Sequence, residues 1–322
     1  MEYTHLGRSG LSVSRLCLGT MNFGWRTEEP EAHAVMDRAH AAGVNFFDTA
    51  NVYGFEAGRG RTEEVLGTWF AQGGGRRERT VLATKVYGGM SDWPNDTFLS
   101  ARNLVRSAEE SLRRMQTDWI DLYQFHHVDL ATPWDEIWQA CETLVAQGKV
   151  LYVGSSNHAA WQLAAANEAA ARRRFLGLVS EQSHYNLLTR HVELEVLPAA
   201  RHYGIGVIPW SPLAQGLLAG VLGDQEGDRR HAERNRERIE RHRPALQAYE
   251  DACREWGLAP ADVGLAWLLH RPGVTAPIVG PRTVEHFEGS LGALDVRLDP
   301  AQLDRLDEVF PGYRTAPEEY AW

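Results

Sequence analysis

Lysine is nearly absent from this chain of 322 residues. Lys85 and Lys149 are the only two, so arginine supplies 31 of the 33 basic side chains. Where arginine is the default surface cation, a lysine at the end of a strand requires a chemical reason. Its compact ammonium changes proton affinity with its surroundings, whereas the guanidinium of arginine stays charged. The scarcity of lysine therefore marks Lys85, which ends an apolar run, as a candidate functional residue.

Cysteine, excess positive charge and long apolar runs are also scarce. Cys17, Cys141 and Cys253 show no C-x-x-C and no metal-ligand spacing, which indicates reduced thiols rather than a disulfide framework. The net charge of −10 argues against nucleic acid or an anionic membrane as a general partner. The first residues, MEYTHLGRSG, lack a signal pattern, and no apolar run is long enough to cross a bilayer. We therefore expect a cytoplasmic protein.

Short apolar runs alternate regularly with segments of helical periodicity. Eight such strand–helix units follow one another with short connections, which predicts a parallel sheet, and eight units in series favour a closed barrel over a doubly wound sheet. A hairpin at 1–13 precedes the repeat, and a helix at 299–310 follows it. The sequence thus predicts a single (β/α)8 (TIM) barrel domain over residues 1–322. Its strands are predicted within residues 14–20, 45–50, 80–86, 120–126, 150–157, 176–186, 204–212 and 275–280.

Two segments between the strands allow more specific predictions. A long helix is expected at 96–115, with Asp96 as its N-cap. The stretch 223–243 is densely charged with both signs, which is typical of a solvated loop or a frayed helix. The alternative is a mobile flap over the strand ends that contributes an arginine to an anionic cofactor.

Four chemically versatile side chains stand at the ends of three successive predicted strands. The stretch NFFDTANVYG ends a strand at Asp48 and then turns to Tyr53. The next two strands end at Lys85 and His126. The carboxyl ends of the strands form the active-site face of a (β/α)8 barrel, so we expect these four residues to lie together.

Their combined chemistry favours proton transfer to an oxygen atom. A free phenol has a pKa of about 10, and a nearby ammonium favours the phenolate and lowers that value. A carboxylate beside the ammonium would keep Lys85 charged and oriented, while His126 could donate a hydrogen bond to a carbonyl oxygen. We therefore expect Tyr53 to protonate an oxygen while a hydride reaches the carbon. A metal site is disfavoured, because adjacent histidines on a strand point in opposite directions.

The motifs DTANVYG, ATKV and LYQFHH, with VGSSN, SEQSHYN, PWSPLAQG and IVGPRT, resemble those of the aldo-keto reductase superfamily over nearly the whole chain. The likeness is greatest to the branch that holds bacterial reductases and the potassium-channel β subunits. It implies an NAD(P)H-dependent carbonyl reductase on a (β/α)8 barrel. The catalytic tetrad that it implies consists of Asp48, Tyr53, Lys85 and His126.

The same resemblance implies a cofactor site along the strand ends. Gly19, Thr20 and Met21 would lie near the nicotinamide ribose, and Asp48 would contact the cofactor as well. Ser156, Asn157 and Gln182 would bind the carboxamide, and Trp210 would stack on the ring. The diphosphate would lie along Ser211, Pro212, Leu213, Gln215, Gly216 and Leu217, where backbone N–H groups meet an anion.

Gly280 and Arg282 would hold the adenosine end of the cofactor. A guanidinium there matches a 2′-phosphate and favours NADPH. The chain departs from the family pattern at Val221, His286, Gly289 and Ser290, however, and this leaves NADH open as well.

The resemblance implies a small-molecule carbonyl substrate, and a homo-oligomer is compatible with it. An aromatic mouth would suit a bulky natural-product ketone of secondary metabolism, such as a polyketide side chain or a deoxysugar. Two other functions stay open: a redox-sensing regulatory subunit that turns over slowly, and an enoyl reductase of a nucleotide-sugar intermediate. Candidate wall residues of this mouth are Trp25, Trp93, His127, Tyr320 and Trp322.

Overall fold

An eight-stranded parallel sheet forms the centre of the molecule. The computed structural model describes the backbone of residues 1–222 and 229–320, and the side chains of these residues except 229–235, 316 and 320. A two-stranded antiparallel hairpin comes first, formed by β1 (Tyr3–His5) and β2 (Ser12–Ser14). The sheet strands are β3 (Cys17–Gly19), β4 (Phe46–Asp48), β5 (Val81–Val86), β6 (Ile120–Phe125), β7 (Val150–Ser156), β8 (Leu178–His184), β9 (Gly206–Trp210) and β10 (Ile278–Val279).

The sheet closes on itself into a barrel. Strands β3 to β9 pair in chain order, and β10 pairs with β3. The remaining seam is closed by backbone hydrogen bonds at Val207 of β9, whose N–H donates to the oxygen of Gly273 (2.9 Å) and whose oxygen accepts from the N–H of Thr275 (2.8 Å). This topology confirms the predicted (β/α)8 TIM barrel with its N-terminal hairpin.

Helices surround the barrel. Helices α1 to α6 follow the strands β3 to β8, α7 and α8 connect β9 to β10, and α10 is the predicted final helix. No helix in the described part of the chain has the length and apolar character needed to span a membrane. Their bounds are α1 (Glu29–Ala41), α2 (Arg61–Phe70), α3 (Ala101–Arg114), α4 (Trp134–Ala146), α5 (Ala160–Arg172), α6 (Val196–Tyr203), α7 (Arg229–Trp256), α8 (Pro260–His270), α9 (Val284–Glu288), α10 (Pro300–Val309) and α11 (Ala316–Tyr320).

Strand side chains alternate between two apolar cores. Phe46 belongs to the cluster inside the barrel, whereas its neighbour Phe47 packs in the larger layer between the sheet and the helices. Every residue of β3, β4, β5 and β6 is buried, as expected for strands that are covered on both faces. The three cysteines are buried and unbridged.

The predicted start of one helix needs correction. Helix α3 begins at Ala101 and is capped by Ser100, whose hydroxyl accepts from the N–H of Asn103, so the prediction of Asp96 as N-cap is wrong. Asp96 instead forms an ion pair with Arg106 and accepts a hydrogen bond from Ser91. The charged segment is part of helix α7 from residue 229 onward, and its residues 223–228 lie outside the described chain.

Candidate active site

Lys85 stands at the centre of a polar cluster at the carboxyl ends of β4 and β5. Its Nζ lies 2.6 Å from Oδ2 of Asp48, 2.8 Å from the backbone oxygen of Thr49 and 3.3 Å from Oη of Tyr53. The ammonium is completely buried and Asp48 nearly so. The structure therefore brings together the acid, the amine and the phenol that the sequence placed at neighbouring strand ends.

Two glutamines hold the other oxygen of the Asp48 carboxylate. Gln124 on β6 donates to Oδ1 over 3.0 Å, and Gln182 on β8 donates to it over 2.8 Å. Thr20 donates to the backbone oxygen of Asp48 from both its hydroxyl and its N–H. Gln124 and the carbonyl of Thr49 were not predicted. Side chains two residues apart on a strand face the same side. The position of Gln124 on β6, two residues before His126, would therefore have allowed its prediction.

His126 lies beside Tyr53 as a neutral imidazole. The two ring centroids are 5.8 Å apart in an edge-to-face arrangement. Burial, together with the positive charge of Lys85 and the neighbouring His127, lowers the pKa of His126 to about 2. At neutral pH this ring therefore carries one N–H and can donate a hydrogen bond, but it does not act as a cationic acid.

The phenol of Tyr53 keeps its proton more strongly than the sequence suggested. Burial raises its pKa, and this outweighs the lowering by Lys85, while Asp48 raises it further. The prediction of a lowered net pKa is therefore wrong. Burial by itself lowers the pKa of Lys85, but the charge of Asp48 and the contact with Tyr53 raise it above the usual lysine value. The site thus holds a protonated phenol beside a permanent ammonium.

A second set of hydrogen bonds joins the ends of β7 and β9. Asn157 has the left-handed φ of 61° and donates from its amide to the hydroxyl of Ser156 (3.0 Å) and to the backbone oxygen of His126 (3.3 Å). Its Oδ1 accepts from the indole Nε1 of Trp210 over 3.1 Å. The Trp210 ring is in turn stacked on His184, with centroids 4.2 Å apart. The predicted residues Ser156, Asn157 and Trp210 therefore form one connected group.

The turn after β9 has an irregular backbone. Ser211, Ala214, Gln215 and Gly216 all have positive φ, between 50° and 95°, and the N–H groups of Ala214 and Gly216 donate to the backbone oxygens of Ser211 and Leu213. The hydroxyl oxygen of Ser211 is buried and has no partner in the described chain. Arg238 of helix α7 donates to Oε1 of Gln215 over 3.0 Å, so an arginine of the charged segment does reach this turn.

Other predicted residues of this turn have structural positions. Leu217 is completely buried in the core, and Leu213 is packed against the same cluster. Pro212 is buried as well. These three can offer a ligand little more than their backbone atoms.

The ends of β3 and β10 lie side by side and carry the remaining predicted residues. A Cβ on Gly19 would lie 2.5 Å from Cγ2 of Ile278, so only glycine allows this approach. The amide of Asn22 donates to the oxygen of Gly280 (3.0 Å), and the hydroxyl of Thr27 donates to the oxygen of Arg282 (3.0 Å). Met21 and the Arg282 side chain are exposed at this edge.

The aromatic residues predicted to line the mouth are only partly described. Trp93 and His127 are exposed on the rim, and Trp25 donates from its indole to the oxygen of Met21 over 2.7 Å. The Tyr320 side chain and Trp322 lie outside the described residues.

Comparison with known proteins agrees with this architecture. A family model described as the aldo/keto reductase family matches residues 15–310. The chain is 54% identical over 327 residues to "Uncharacterized oxidoreductase YrpG" of Bacillus subtilis (strain 168), with 100% of each chain covered. It is 34% identical over 332 residues to "Probable voltage-gated potassium channel subunit beta" of Arabidopsis thaliana, with 99% of this chain and 100% of that one covered.

A fungal enzyme is similar as well. The chain is 35% identical over 320 residues to "Norsolorinic acid reductase stcV" of Emericella nidulans, with 94% of this chain and 80% of that one covered. These matches confirm the resemblance seen in the motifs. Because the family model covers most of the sequence and full-length relatives share this level of identity, the chain belongs to the aldo/keto reductase family of oxidoreductases.

Proposed function

We propose that this protein reduces an aldehyde or ketone to an alcohol, with the hydride taken from a reduced nicotinamide cofactor and the proton from Tyr53. The observation that carries this proposal is the buried Lys85 ammonium, which contacts both the Asp48 carboxylate and the Tyr53 phenol. A phenol in this position can give its proton to a substrate oxygen, because the ammonium stabilises the phenolate that remains.

Asp48 and His126 have supporting parts in this proposal. The carboxylate of Asp48 keeps the ammonium charged in a buried setting, where an isolated charge would be costly. The neutral imidazole of His126 donates a hydrogen bond to the carbonyl oxygen and so places it beside the phenol. This interaction strengthens as negative charge develops on that oxygen.

The strand-end residues fit a nicotinamide dinucleotide. The turn after β9, with the unpartnered Ser211 hydroxyl and the nearby Arg238, suits a diphosphate. The exposed Arg282 suits a 2′-phosphate, so we propose NADPH as the preferred cofactor, with NADH as the alternative. When bound, the reduced nicotinamide supplies the hydride. Ser156, Asn157 and Gln182 would hold its carboxamide, and the Trp210 ring would pack beside it.

The substrate class is proposed from the aromatic rim and from the names of relatives. Trp25, Trp93 and Phe98 lie in loops that follow strands β3 and β5, so a bulky substrate would meet aromatic faces. Relatives named as reductases of norsolorinic acid and versiconal hemiacetal acetate support a bulky natural-product carbonyl compound. A small-molecule substrate in the cytoplasm fits both observations.

A variant of Tyr53 tests the proposal directly. Oxidation of NADPH and of NADH is followed by absorbance with 4-nitrobenzaldehyde as substrate, for the wild type and for Tyr53→Phe. We expect faster turnover with NADPH and a loss of kcat of about 100-fold or more in the variant, because the proton donor is gone. Tyr152→Phe, a half-buried tyrosine near the start of β7, is the matched control and should keep full activity.

The names of some relatives also support a second function. Proteins named as potassium-channel β subunits suggest a cofactor-binding redox sensor that turns over slowly. That function predicts stoichiometric cofactor retained through purification, with negligible turnover of any carbonyl compound. Tyr53→Phe would then change neither cofactor retention nor a measurable rate, and carbonyl reduction would be abandoned.

A further inference from the structure

An outer cavity of about 700 Å³ opens among the loops at the carboxyl ends of the strands. Its walls come from the loops that follow β5 and β6, with Arg59 contributed by the loop after β4. The volume is in the range that encloses a small organic group. It is lined by Arg59, Gly89, Ser91, Asp92, Trp93, Pro94, Asn95, Thr97, Phe98, Ser100, Asp129, Ala131 and Thr132.

The two loops are joined by a single carboxylate. Asp129 accepts hydrogen bonds from the N–H of Leu99 (3.1 Å), the N–H of Ala131 (2.9 Å) and the hydroxyl of Thr132 (2.7 Å). Leu99 belongs to the loop after β5, while Asp129 and its other partners belong to the loop after β6. These hydrogen bonds hold the two loops together beside the cavity.

Part of this wall is held in an unfavourable backbone conformation. Asn95 and Phe98 both have a φ of 67°, which is uncommon for residues other than glycine. Such conformations cost free energy and collect at functional sites. Phe98 is 52% exposed, and Trp93 in the same loop is 75% exposed. Two aromatic faces are thus presented to the cavity region rather than packed into the core.

Two sets of contacts connect residues that line the outer cavity, or that adjoin its lining, with Tyr53. Gly60, the neighbour of Arg59, donates its N–H to the backbone oxygen of Tyr53 over 3.1 Å. On the other side, a series of ring contacts at centroid distances of 5.0–5.8 Å runs from the cavity to Tyr53. Its members in order are Phe98, Tyr87, His127, His126 and Tyr53.

The charges in the cavity restrict what it can bind. Arg59 and Asp92 both line it, and neither has an ion-pair partner among the described residues. A flat hydrocarbon ring would cover these two groups without satisfying their hydrogen bonds, which is unfavourable. A phosphate would be attracted by Arg59 but repelled by Asp92. A neutral ring with many hydroxyl groups satisfies both charges, and its C–H faces can pack on Trp93 and Phe98.

We propose that the outer cavity binds a neutral sugar ring that is part of the substrate and does not itself react. This inference rests on the proposed carbonyl reduction, and it names the preferred substrates as glycosides that carry an aldehyde or ketone. The sugar would lie against Trp93 and Phe98, with its hydroxyl groups on Asp92 and Arg59. The carbonyl group would then reach toward Tyr53.

Matched pairs of substrates test this inference. The 4-formylphenyl β-glucoside, β-galactoside and α-rhamnoside are compared with 4-methoxybenzaldehyde, which has the same reacting group and no sugar. We expect kcat/KM to be about tenfold higher for at least one glycoside, equivalent to ~1.4 kcal/mol of binding. Trp93→Ala and Asp92→Asn should each remove this preference, and Asp92→Asn should leave kcat/KM for 4-methoxybenzaldehyde unchanged. Trp161→Ala, an exposed tryptophan outside the cavity, is the control and should retain the preference.

Two results would overturn the inference while the proposed function survives. One is that all three glycosides are reduced no better than 4-methoxybenzaldehyde. The other is that Trp161→Ala removes the preference as completely as Trp93→Ala does. If no aldehyde is reduced at all, the proposed function has failed, and the cavity is judged by equilibrium dialysis with the corresponding 4-nitrophenyl glycosides. Saturable binding that Trp93→Ala abolishes would then support the sugar site, and the absence of binding would refute it.

Discussion

The amide nitrogen of Gln182 on β8 reaches across the barrel interior to Oδ1 of Asp48 on β4, a distance of 2.8 Å. Gln124 donates to the same oxygen, while Oδ2 accepts from Lys85. Gln182 thus donates its amide N–H to Asp48, the carboxylate that pairs with Lys85 beside the proposed proton donor Tyr53. Its Oε1 accepts no hydrogen bond from the described residues and is available to the amide of a bound nicotinamide.

The two glutamines should therefore differ in their effect on the cofactor. Replacing either by methionine removes one amide donor from Asp48 and should lower kcat by about ten- to hundredfold, since one hydrogen bond to a charged group is worth ~1.5–3 kcal/mol. Only Gln182→Met should also weaken cofactor binding, measured as Kd by fluorescence titration. Equal Kd values for Gln124→Met and Gln182→Met would show that Gln182 does not contact the cofactor.

The hydrogen bond from the Trp210 indole to Asn157 should also affect the cofactor site. Trp210→Phe retains an aromatic ring over His184 but loses the donor at 3.1 Å. A neutral hydrogen bond contributes ~1 kcal/mol, so we expect the Kd for NADPH to rise about fivefold. The pH profile of kcat should stay unchanged, because Tyr53 and Lys85 are not touched. An unchanged Kd would place the nicotinamide elsewhere, and Trp161→Phe controls for loss of an exposed indole.

The barrel and the polar cluster were largely predictable from the sequence, because both follow from local pattern. Strand runs such as 80–86 and 120–126 are short, apolar and bounded by turns, and their polar last residues converge because parallel strands end on one face. The identity of Asp48, Lys85 and Tyr53 as one contact set followed from that convergence. The contacts of Gln124 and Gln182 with Asp48 could not be predicted in this way, since they depend on which strands face each other across the barrel.

Tertiary contacts decided the features that the sequence did not predict. Asp96 has the residue type of an N-cap, but its pairing with Arg106 and the positive φ of Asn95 and Phe98 hold residues 95–98 outside the helix. The net pKa of Tyr53 was misjudged because charge proximity can be inferred from spacing, whereas the depth of burial cannot. Helix α8 (Pro260–His270) is apolar around most of its circumference. Its sequence therefore shows no alternation of apolar and polar residues from which a helix could be predicted.

Glu181 on β8 is a buried carboxyl group that no sequence motif singled out. It accepts from the hydroxyls of Ser155 (2.5 Å) and Ser183 (2.9 Å) and from the N–H of His158 (3.1 Å). Burial raises its pKa to about 7, although these hydrogen bonds oppose the shift. The group fixes the loop that begins at Ser156 and contains Asn157.

The free energy of unfolding should therefore depend on pH through Glu181. The folded carboxyl keeps its proton up to about pH 7, whereas an unfolded glutamate loses it near pH ~4.3. The folded state binds more protons between these values, so stability falls as pH rises through this window and levels off above it. Relative to Glu181→Gln, the wild type should lose on the order of 1–3 kcal/mol between about pH 5 and about pH 8.5, measured by urea unfolding.

A control with a surface carboxylate isolates the Glu181 effect. Glu142 is ion-paired with Arg173, and its hydrogen bonds to that guanidinium lower its pKa. Glu142→Gln should therefore show the same pH dependence as the wild type over this range. If Glu181→Gln also follows the wild type, the Glu181 carboxyl does not titrate in this window.

Gly54 fixes the turn that carries Tyr53 through two constraints, a positive φ and a lack of space for a side chain. Variants of Gly54 and Gly58 separate the effects of these two constraints. Gly54 has a φ of 132°, and a Cβ there would lie 2.0 Å from the backbone oxygen of Gly58. Gly58 also has a positive φ, 104°, but a Cβ on it would meet no atom within 4 Å. Gly58→Ala should therefore cost only the backbone strain, ~1–3 kcal/mol, and leave kcat near the wild-type value.

Gly54→Ala should cost more stability than Gly58→Ala and should also lower kcat, because relief of the clash displaces the neighbouring phenol from Lys85. Urea unfolding gives the two free energies, and turnover of 4-nitrobenzaldehyde gives kcat at a temperature where both variants stay folded. Since a misplacement of about 1 Å can reduce the rate about 100-fold, the loss in kcat should be much larger than any change in the Kd for NADPH. Wild-type kcat in Gly54→Ala would mean that the position of Tyr53 does not depend on this turn.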